Sequence, residues 1–319
     1  MVMRRIITVV FIFANIICAA QTPSHATLKV MEWNVENLFD TRHDEGKKDE
    51  AFTPEGANRW TRNRYWRKLT DMSKVIAATS DADGQIPDLI GLCEVENDSV
   101  LHDLTKRSAL RNLYYQYLIT DSPDERGIDV ALLWQPGRFL PLSHQSIRVP
   151  SVAKELPPTR DILYVKGIIE TRDTLHVFVT HLPSRLGGRT GDRNRQLATA
   201  TLWTVVDSIL LTPSPNIIVM GDFNATATDR IFRNKRLTIA DPPQGGTYCF
   251  RGYWSCIDHI LLSHSLSAAK RHVQVCDLPW LLEDNLTTGG QQPRRTFRGP
   301  SYHGGVSDHL PLIMRIELP

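Results

Sequence analysis

The stretch Asn216-Ile217-Ile218-Val219-Met220-Gly221-Asp222-Phe223-Asn224 sets four large apolar residues in a row, closes them with a glycine, and follows with a carboxylate and an amide. A short unbroken apolar run bounded by turn formers reads as a strand covered on both faces, its polar end emerging at a rim. The arrangement recurs twice. Leu89-Ile90-Gly91-Leu92-Cys93 runs into Glu94, and Asp308-His309 stands just ahead of Leu310-Pro311-Leu312-Ile313. Strand ends are where side chains leave a core and converge, so these three places are the first functional signal.

Working outward, alternation or continuous apolar character predicts further strands at residues 27–33, 114–119, 129–134, 162–170, 175–180, 257–262, 273–276 and 312–318. Helices are predicted over residues 62–78, 99–107 and 193–210, the last with Leu197, Ala200, Leu202, Val205 and Ile209 on its inner face. Residues 41–58, 186–192, 245–255 and 277–306 read as loops. Strands outnumber helices, which predicts an α/β fold of two sheets with helices outside them, not a strictly alternating barrel. Residues 21–319 carry no repeat or linker and predict one domain.

The N-terminus has a different character. Arg4 and Arg5 precede an apolar run from Ile6 to Ile17, then Ala19, Ala20 and polar Gln21. That is a signal-peptide layout over residues 1–20, and the run is too short for the roughly 20 apolar residues that span a bilayer. The expectation is export to the periplasm or medium after cleavage. Residues 1–20 hold two arginines and no acid, so the formal charge of +2 belongs to the leader. A neutral mature chain argues against broad electrostatic attraction to nucleic acid and requires any phosphate attraction to be local. Cys93, Cys249, Cys256 and Cys276 remain, with no C-x-x-C pair to suggest structural zinc. Export permits disulfides, and Cys249 with Cys256 across a turn-like stretch is the candidate bridge.

Taken singly, Gly221-Asp222-Phe223-Asn224 reads as a turn and Asp308 as a cap. Taken together, Asn34, Glu94, His181, Asp222, Asn224, Asp258, Asp308 and His309 fit a hard-cation site with a histidine beside it.

With those residues in view, the chain resembles the DNase I-like endonuclease/exonuclease/phosphatase superfamily from about Leu28 to Leu318. The resemblance rests on six segments in order: residues 32–40 (EWNVENLFD), 92–97 (LCEVEN), 180–185 (THLPSR), 221–224 (GDFN), 257–261 (IDHIL) and 307–311 (SDHLP). It implies a four-layer α/β sandwich and magnesium- or manganese-assisted attack of water on phosphorus. Glu94 would bind the metal, with Asn34 and Asp308 contributing ligands or water-mediated contacts. Asp222 would orient or deprotonate the attacking water, and Asn224 would donate to a phosphate oxygen. His309, polarised by Asp258, would serve as general base or, as imidazolium, bind phosphate oxygens. His181 would contact the phosphate from the opposite side. Arg126 and Asp129 either aim at a phosphate and a histidine or serve the local structure, and the basic group Arg185, Arg189, Arg193 and Arg195 either lines the substrate groove or forms a solvated helix start.

The motif implies a reaction type and hides the substrate. The leading expectation is an endonuclease-like phosphodiesterase acting on DNA or RNA as a monomer. Alternatives are a lipid or inositol-phosphate phosphoesterase and a binding protein without turnover; the complete set Glu94, Asp222, Asn224, Asp258 and His309 argues against the last. Tyr248, Phe250, Tyr253 and Trp254 either stack on bases or seal the core beside Asp258, and sealing is the expectation. Residues 278–282 (LPWLL) either touch lipid or pack normally, and packing is the expectation.

Overall fold

The computed structural model describes residues 26–152, 156–185, 188–233 and 236–318, so the expected signal segment lies outside the described residues. Strands are numbered along the chain. One sheet contains β1 (Thr27–Leu38), β2 (Leu89–Val95), β3 (Gln116–Ile119), β4 (Asp129–Trp134), β13 (Arg271–Val275) and β18 (Leu312–Glu317), in the order β13-β18-β1-β2-β4-β3. The other contains β5 (Phe139–Ile147), β6 (Ile162–Ile169), β7 (Thr174–His181), β8 (Asn216–Asp222), β9 (Thr238–Ile239) and β12 (Asp258–Leu262), in the order β5-β6-β7-β8-β12-β9. Each sheet is antiparallel except for one parallel pair, β1 with β2 and β7 with β8. A parallel pair needs a crossover, and helices α1 (Arg62–Ala78) and α3 (Gly188–Ile209) supply the two.

Alternation along the strands sorts side chains into three cores. Leu28 and Val30 of β1 meet Val177, Val179, Ile218, Met220, Ile260 and Leu262 of the opposite sheet between the two layers. Met31 and Trp33 of β1 face the other way, onto Leu69, Met72, Val75 and Ile76 of α1. Ile217 and Val219 of β8 face Ala198, Leu202 and Val206 of α3. The layers therefore run helix, sheet, sheet, helix. Gly91 sits at a close approach of the two sheets, since a Cβ there would lie 2.6 Å from Met220 Sδ.

The structure differs from the sequence expectation in several places, one being the inner face of α3, where Ala198, Leu202 and Val206 are buried, Leu197, Val205 and Ile209 are only partly buried and Ala200 is exposed. Strand β5 was unforeseen because it is an edge strand with only Phe139 and Ile147 buried, leaving no alternation to read. Residues 277–306 are not a plain loop: they form the hairpins β14 (Leu282–Asp284) with β15 (Gln291–Pro293) and β16 (Phe297–Arg298) with β17 (Ser301–Tyr302). Helix α3 begins at Gly188, so residues 188–192 belong to its first turns. Cys249 and Cys256 are both free thiols. Cys249 lies within the hairpin of β10 (Tyr248–Phe250) and β11 (Tyr253–Ser255), whose register pairs it with Trp254 and leaves Cys256 just past the last pair. Two short helices, α2 (Asp98–His102) and α4 (His264–Ser267), complete the elements used below. Among the described residues no helix is long and apolar enough to cross a membrane.

Candidate active site

The site lies at the mouth of the space between the sheets, and strand parity puts it there. Val179 and Met220 point into the inter-sheet core, so His181 and Asp222, each two residues on, point the same way at the rim. Val30 leads by the same rule to Glu32 and then Asn34, and Ile260 leads back to Asp258. Asp258 and Asp222 are direct cross-strand partners, as are His181 and Asp222 on the parallel side. Glu94 breaks parity. A bulge between Cys93 and Val95 removes it from the ladder and gives it a φ of +65°, while β1 bulges opposite it with Glu36 and Asn37 also left-handed. Bulges re-aim a side chain that strict alternation would have turned toward α1.

Asp222 is the hub. Its Oδ2 accepts from Asn34 Nδ2 at 3.0 Å and lies 3.6 Å from His181 Nε2 and 3.9 Å from His309 Nε2, while Oδ1 accepts from the Asn224 backbone N–H at 2.8 Å. Burial, reinforced by the Asp258 charge, raises its pKa to about 7, with His309 opposing the rise. His309 contacts Asp258 Oδ2 through Nδ1 at 2.8 Å. Burial resists charge on this ring, but Asp258 outweighs it, then Asp222, and the pKa stands well above the ordinary imidazole value. His181 is the reverse: burial, then Arg160 and Arg126, hold it well below, so it is neutral. A dyad of one charged and one neutral imidazole thus flanks one carboxylate.

The segment 307–309 is tied to β1 across the chain. Ser307 Oγ donates to the Asn34 carbonyl at 2.6 Å and accepts from the His309 N–H at 3.0 Å, and Trp33 Nε1 donates to the His309 carbonyl at 3.1 Å. Glu94 Oε2 accepts from the Asn37 N–H at 2.8 Å and lies 3.4 Å from Arg126 Nη2. Burial alone would raise the Glu94 pKa, yet Arg126, the Asn37 amide and His309 bring it below its ordinary value, so the carboxylate is ionised. Asp308 Oδ2 pairs with Arg295 Nη2 at 2.9 Å.

Glu94, Asp308 and the Asn34 side-chain oxygen Oδ1, which also accepts from the Glu36 N–H at 3.0 Å, are the hard donors of the rim. An all-oxygen set with an ionised carboxylate whose Oε1 takes no hydrogen bond among the described residues fits magnesium or manganese in kind. The buried Asp222, Asp258 and His309 also offer one donor atom each, mutually within 4.8 Å.

Two expected residues are placed differently. Asp129 does not reach a histidine: its Oδ1 accepts from Thr120 Oγ1 at 2.5 Å and the Ser122 N–H at 3.0 Å, fixing the loop that carries Arg126. Arg185 braces the Asn224 turn, donating through Nε to the Asn224 carbonyl at 2.9 Å and pairing with Asp229. Asn224 itself, at φ +49°, gives one amide hydrogen to the Leu182 carbonyl at 3.0 Å and keeps the other. The aromatic hairpin does not seal the core either. Phe250, Tyr253 and Trp254 are 50, 82 and 37% exposed, whereas Tyr248 lies with its ring 4.8 Å from that of His309. Residues 278–282 do pack normally, with Leu281 buried and Leu278 and Leu282 against the α1 core, leaving Trp280 exposed.

Sequence reading missed four contributors. Lys68 of α1 is buried and donates to the Glu36 carbonyl and to Thr296 Oγ1 at 2.9 Å; burial lowers its pKa to about 8 against the pull of Glu36, Glu94 and Asp308. Glu36 accepts from Arg295 Nε at 3.1 Å and the Thr296 N–H at 2.7 Å. Arg160, also buried, joins Asp124 to the Leu182 carbonyl at 3.1 and 3.0 Å. Glu32 is fully buried behind Asp258 and Asp222; burial first, then those two charges, push its pKa well up and keep it protonated. A charged residue at core parity inside an apolar strand was the available signal for Glu32.

The model for the endonuclease/exonuclease/phosphatase family matches residues 29–318, nearly the whole described chain. The chain belongs to this family. Family members are generally divalent-metal dependent and act on phosphoester bonds. Mouse Nocturnin is 25% identical over 91% of this chain and 65% of its own length, so the chain spans about two thirds of that relative. Among solved structures, the human Nocturnin catalytic domain with bound sulfate is similar at a TM-score of 0.56, with 19% identity over 92% of this chain and 95% of that one. A mannosyl-6-phosphatase of Bacteroides thetaiotaomicron is similar at 0.59, with 17% identity over 91% and 99%. The last two likenesses bear on the fold of this family member.

Proposed function

We propose that the chain is an exported, magnesium-dependent phosphodiesterase of the nuclease type, cleaving DNA or RNA. Asp222 carries the reading, held between the charged His309 and the neutral His181 with a pKa near 7. A base is most useful when its pKa lies near the working pH, and Asp222 meets that condition while His309, already protonated, does not. Asp222 therefore orients the attacking water and takes its proton. His309, kept charged by Asp258, and the second amide hydrogen of Asn224 bind the nonbridging phosphoryl oxygens. His181 donates from the opposite side. Glu94, Asn34 and Asp308 would hold the magnesium ion, which when bound neutralises charge building on phosphorus and on the leaving oxygen.

The exposed aromatics of the β10–β11 hairpin support nucleic acid as the substrate. Phe250, Tyr253 and Trp254, with Arg251 5.2 Å over the Phe250 ring, rise beside Tyr248 and His309 as a platform on which bases can stack. Normal packing of Leu278, Leu281 and Leu282 removes the main argument for a lipid surface. The test uses protein from Gln21 onward with magnesium, against plasmid DNA, RNA, bis(p-nitrophenyl) phosphate, inositol phosphates, mannose 6-phosphate and sphingomyelin. Cleavage of nucleic acid supports the reading. Turnover of only a monoester or a lipid replaces the substrate, and turnover unaffected by EDTA ends the metal-dependent mechanism.

A further inference from the structure

On β12 the catalytic Asp258 points between the sheets, so its neighbour His259 points the other way, into the core beneath α3. His259 is fully buried there, edge-on to Phe223 and Phe232 with ring centroids 5.7 and 5.2 Å away. Its Nε2 lies 2.8 Å from the Ala225 carbonyl, and its Nδ1 lies 3.1 Å from Asp241 Oδ1. A carbonyl only accepts, so Nε2 carries the hydrogen. In the neutral ring Nδ1 then presents a lone pair to a carboxylate, two acceptors at hydrogen-bond distance. Either a proton on Nδ1 or a cation between them resolves the conflict, and for a cation a third donor is at hand. One ligand atom each from Asp241, Cys256 and His259 lies within 4.8 Å of the others.

We infer that Asp241, Cys256 and His259 form a second metal site, separate from the catalytic rim, for a zinc-class divalent cation. The donor set decides the class: one imidazole nitrogen, one thiolate and one carboxylate suit a borderline ion such as zinc or cobalt, whereas the all-oxygen catalytic rim suits magnesium. The partner on the far ring nitrogen is the second feature of a built site. A metal-ligating histidine ordinarily donates its other N–H to a carbonyl or carboxylate, and Ala225 fills that place here. Asp241 is 41% exposed, so the fourth position opens to water. The Cys256 thiol, which now donates to the Asp258 carbonyl at 3.2 Å, loses its proton to solvent on binding. Cys256 and His259 bracket Asp258, so the ion would tie the backbone that carries this catalytic side chain to Asp241.

The measurement is a cobalt(II) titration of the chain from Gln21 onward, in a non-thiol reductant, carrying Glu94→Gln to weaken binding at the catalytic rim. The expected result is one equivalent bound with a near-ultraviolet thiolate-to-cobalt charge-transfer band, displaced by zinc. Cys256→Ser abolishes the band, and Asp241→Asn, at an exposed carboxylate that leaves the core untouched, weakens zinc binding by roughly 10- to 100-fold or more. Thermal unfolding without metal checks that both variants are folded. Absence of the band, or metal binding by either variant as tight as by the parent protein, overturns the site and leaves His259 and Asp241 as a hydrogen-bonded pair. Either result is independent of nuclease activity.

Discussion

Replacing Asp258 by Asn tests how the rim sets its protonation states. Asp258 is completely buried, and its Oδ2 is 2.8 Å from His309 Nδ1. The amide oxygen of Asn can still accept from Nδ1–H, so shape and hydrogen bond survive and only the charge goes. A hydrogen bond to a charged group contributes about 1.5–3 kcal/mol against about 0.5–1.5 for a neutral one, a difference of about 1–2 kcal/mol. At 1.36 kcal/mol per unit, that lowers the His309 pKa by about one unit. His309 is the acid form in the mechanism and loses its charge as pH rises through its raised folded value, so the alkaline limb of kcat/KM moves toward acid by that amount. The linked stability has the same sign: it is full below the unfolded imidazole value and fades as pH rises through the folded value, so Asp258→Asn loses it mainly on the acid side. The assays are a pH–rate profile and a nitrogen-15 NMR titration of the imidazole. An unmoved alkaline limb together with an unshifted His309 would refute the reasoning.

Asp222→Asn should reduce kcat by about 10²–10⁴-fold with folding intact by circular dichroism, and the wild-type acid limb should fall below about pH 7, where the carboxylate becomes protonated. Gly221→Ala should fail to fold or lose upward of about 4 kcal/mol in urea unfolding, because its φ is +148° and a Cβ would lie 1.8 Å from the Thr180 carbonyl oxygen. Glu32→Gln should change stability by under about 1 kcal/mol, since a protonated buried carboxyl and an amide are near in shape and charge; a loss of several kcal/mol would mean that Glu32 is ionised. Tyr253→Ala should raise KM for single-stranded nucleic acid by about 1–3 kcal/mol equivalent and leave bis(p-nitrophenyl) phosphate turnover unchanged.

The central strands were legible because they are buried on both faces, which writes Ile217–Met220 and Leu89–Cys93 as unbroken apolar runs. The rim carboxylates were legible for the same reason, standing where those runs stop. Strand β5 was not, because an edge strand exposed along most of its length has no pattern that distinguishes it from loop. The network behind the rim was also hidden. Lys68 looks like any helix lysine until α1 packs against β1, and Arg295 reaches Glu36 and Asp308 only because the 277–306 hairpins fold back on the site. Asp129 and Arg185 show the converse: each stands beside a motif, but its hydrogen bonds steady a neighbouring loop, Asp129 holding Thr120 and Ser122 and Arg185 holding Asn224 and Asp229.

The most direct measurement of the central claim is hydrolysis of bis(p-nitrophenyl) phosphate and plasmid DNA by the protein from Gln21 onward, alongside Asp222→Asn and Glu94→Gln, with magnesium or EDTA. The prediction is magnesium-dependent cleavage of both substrates by the wild type, abolished by EDTA and slowed at least about 10²-fold by either substitution. Cleavage that persists in EDTA, or that runs near the wild-type rate in folded Asp222→Asn protein, would contradict it.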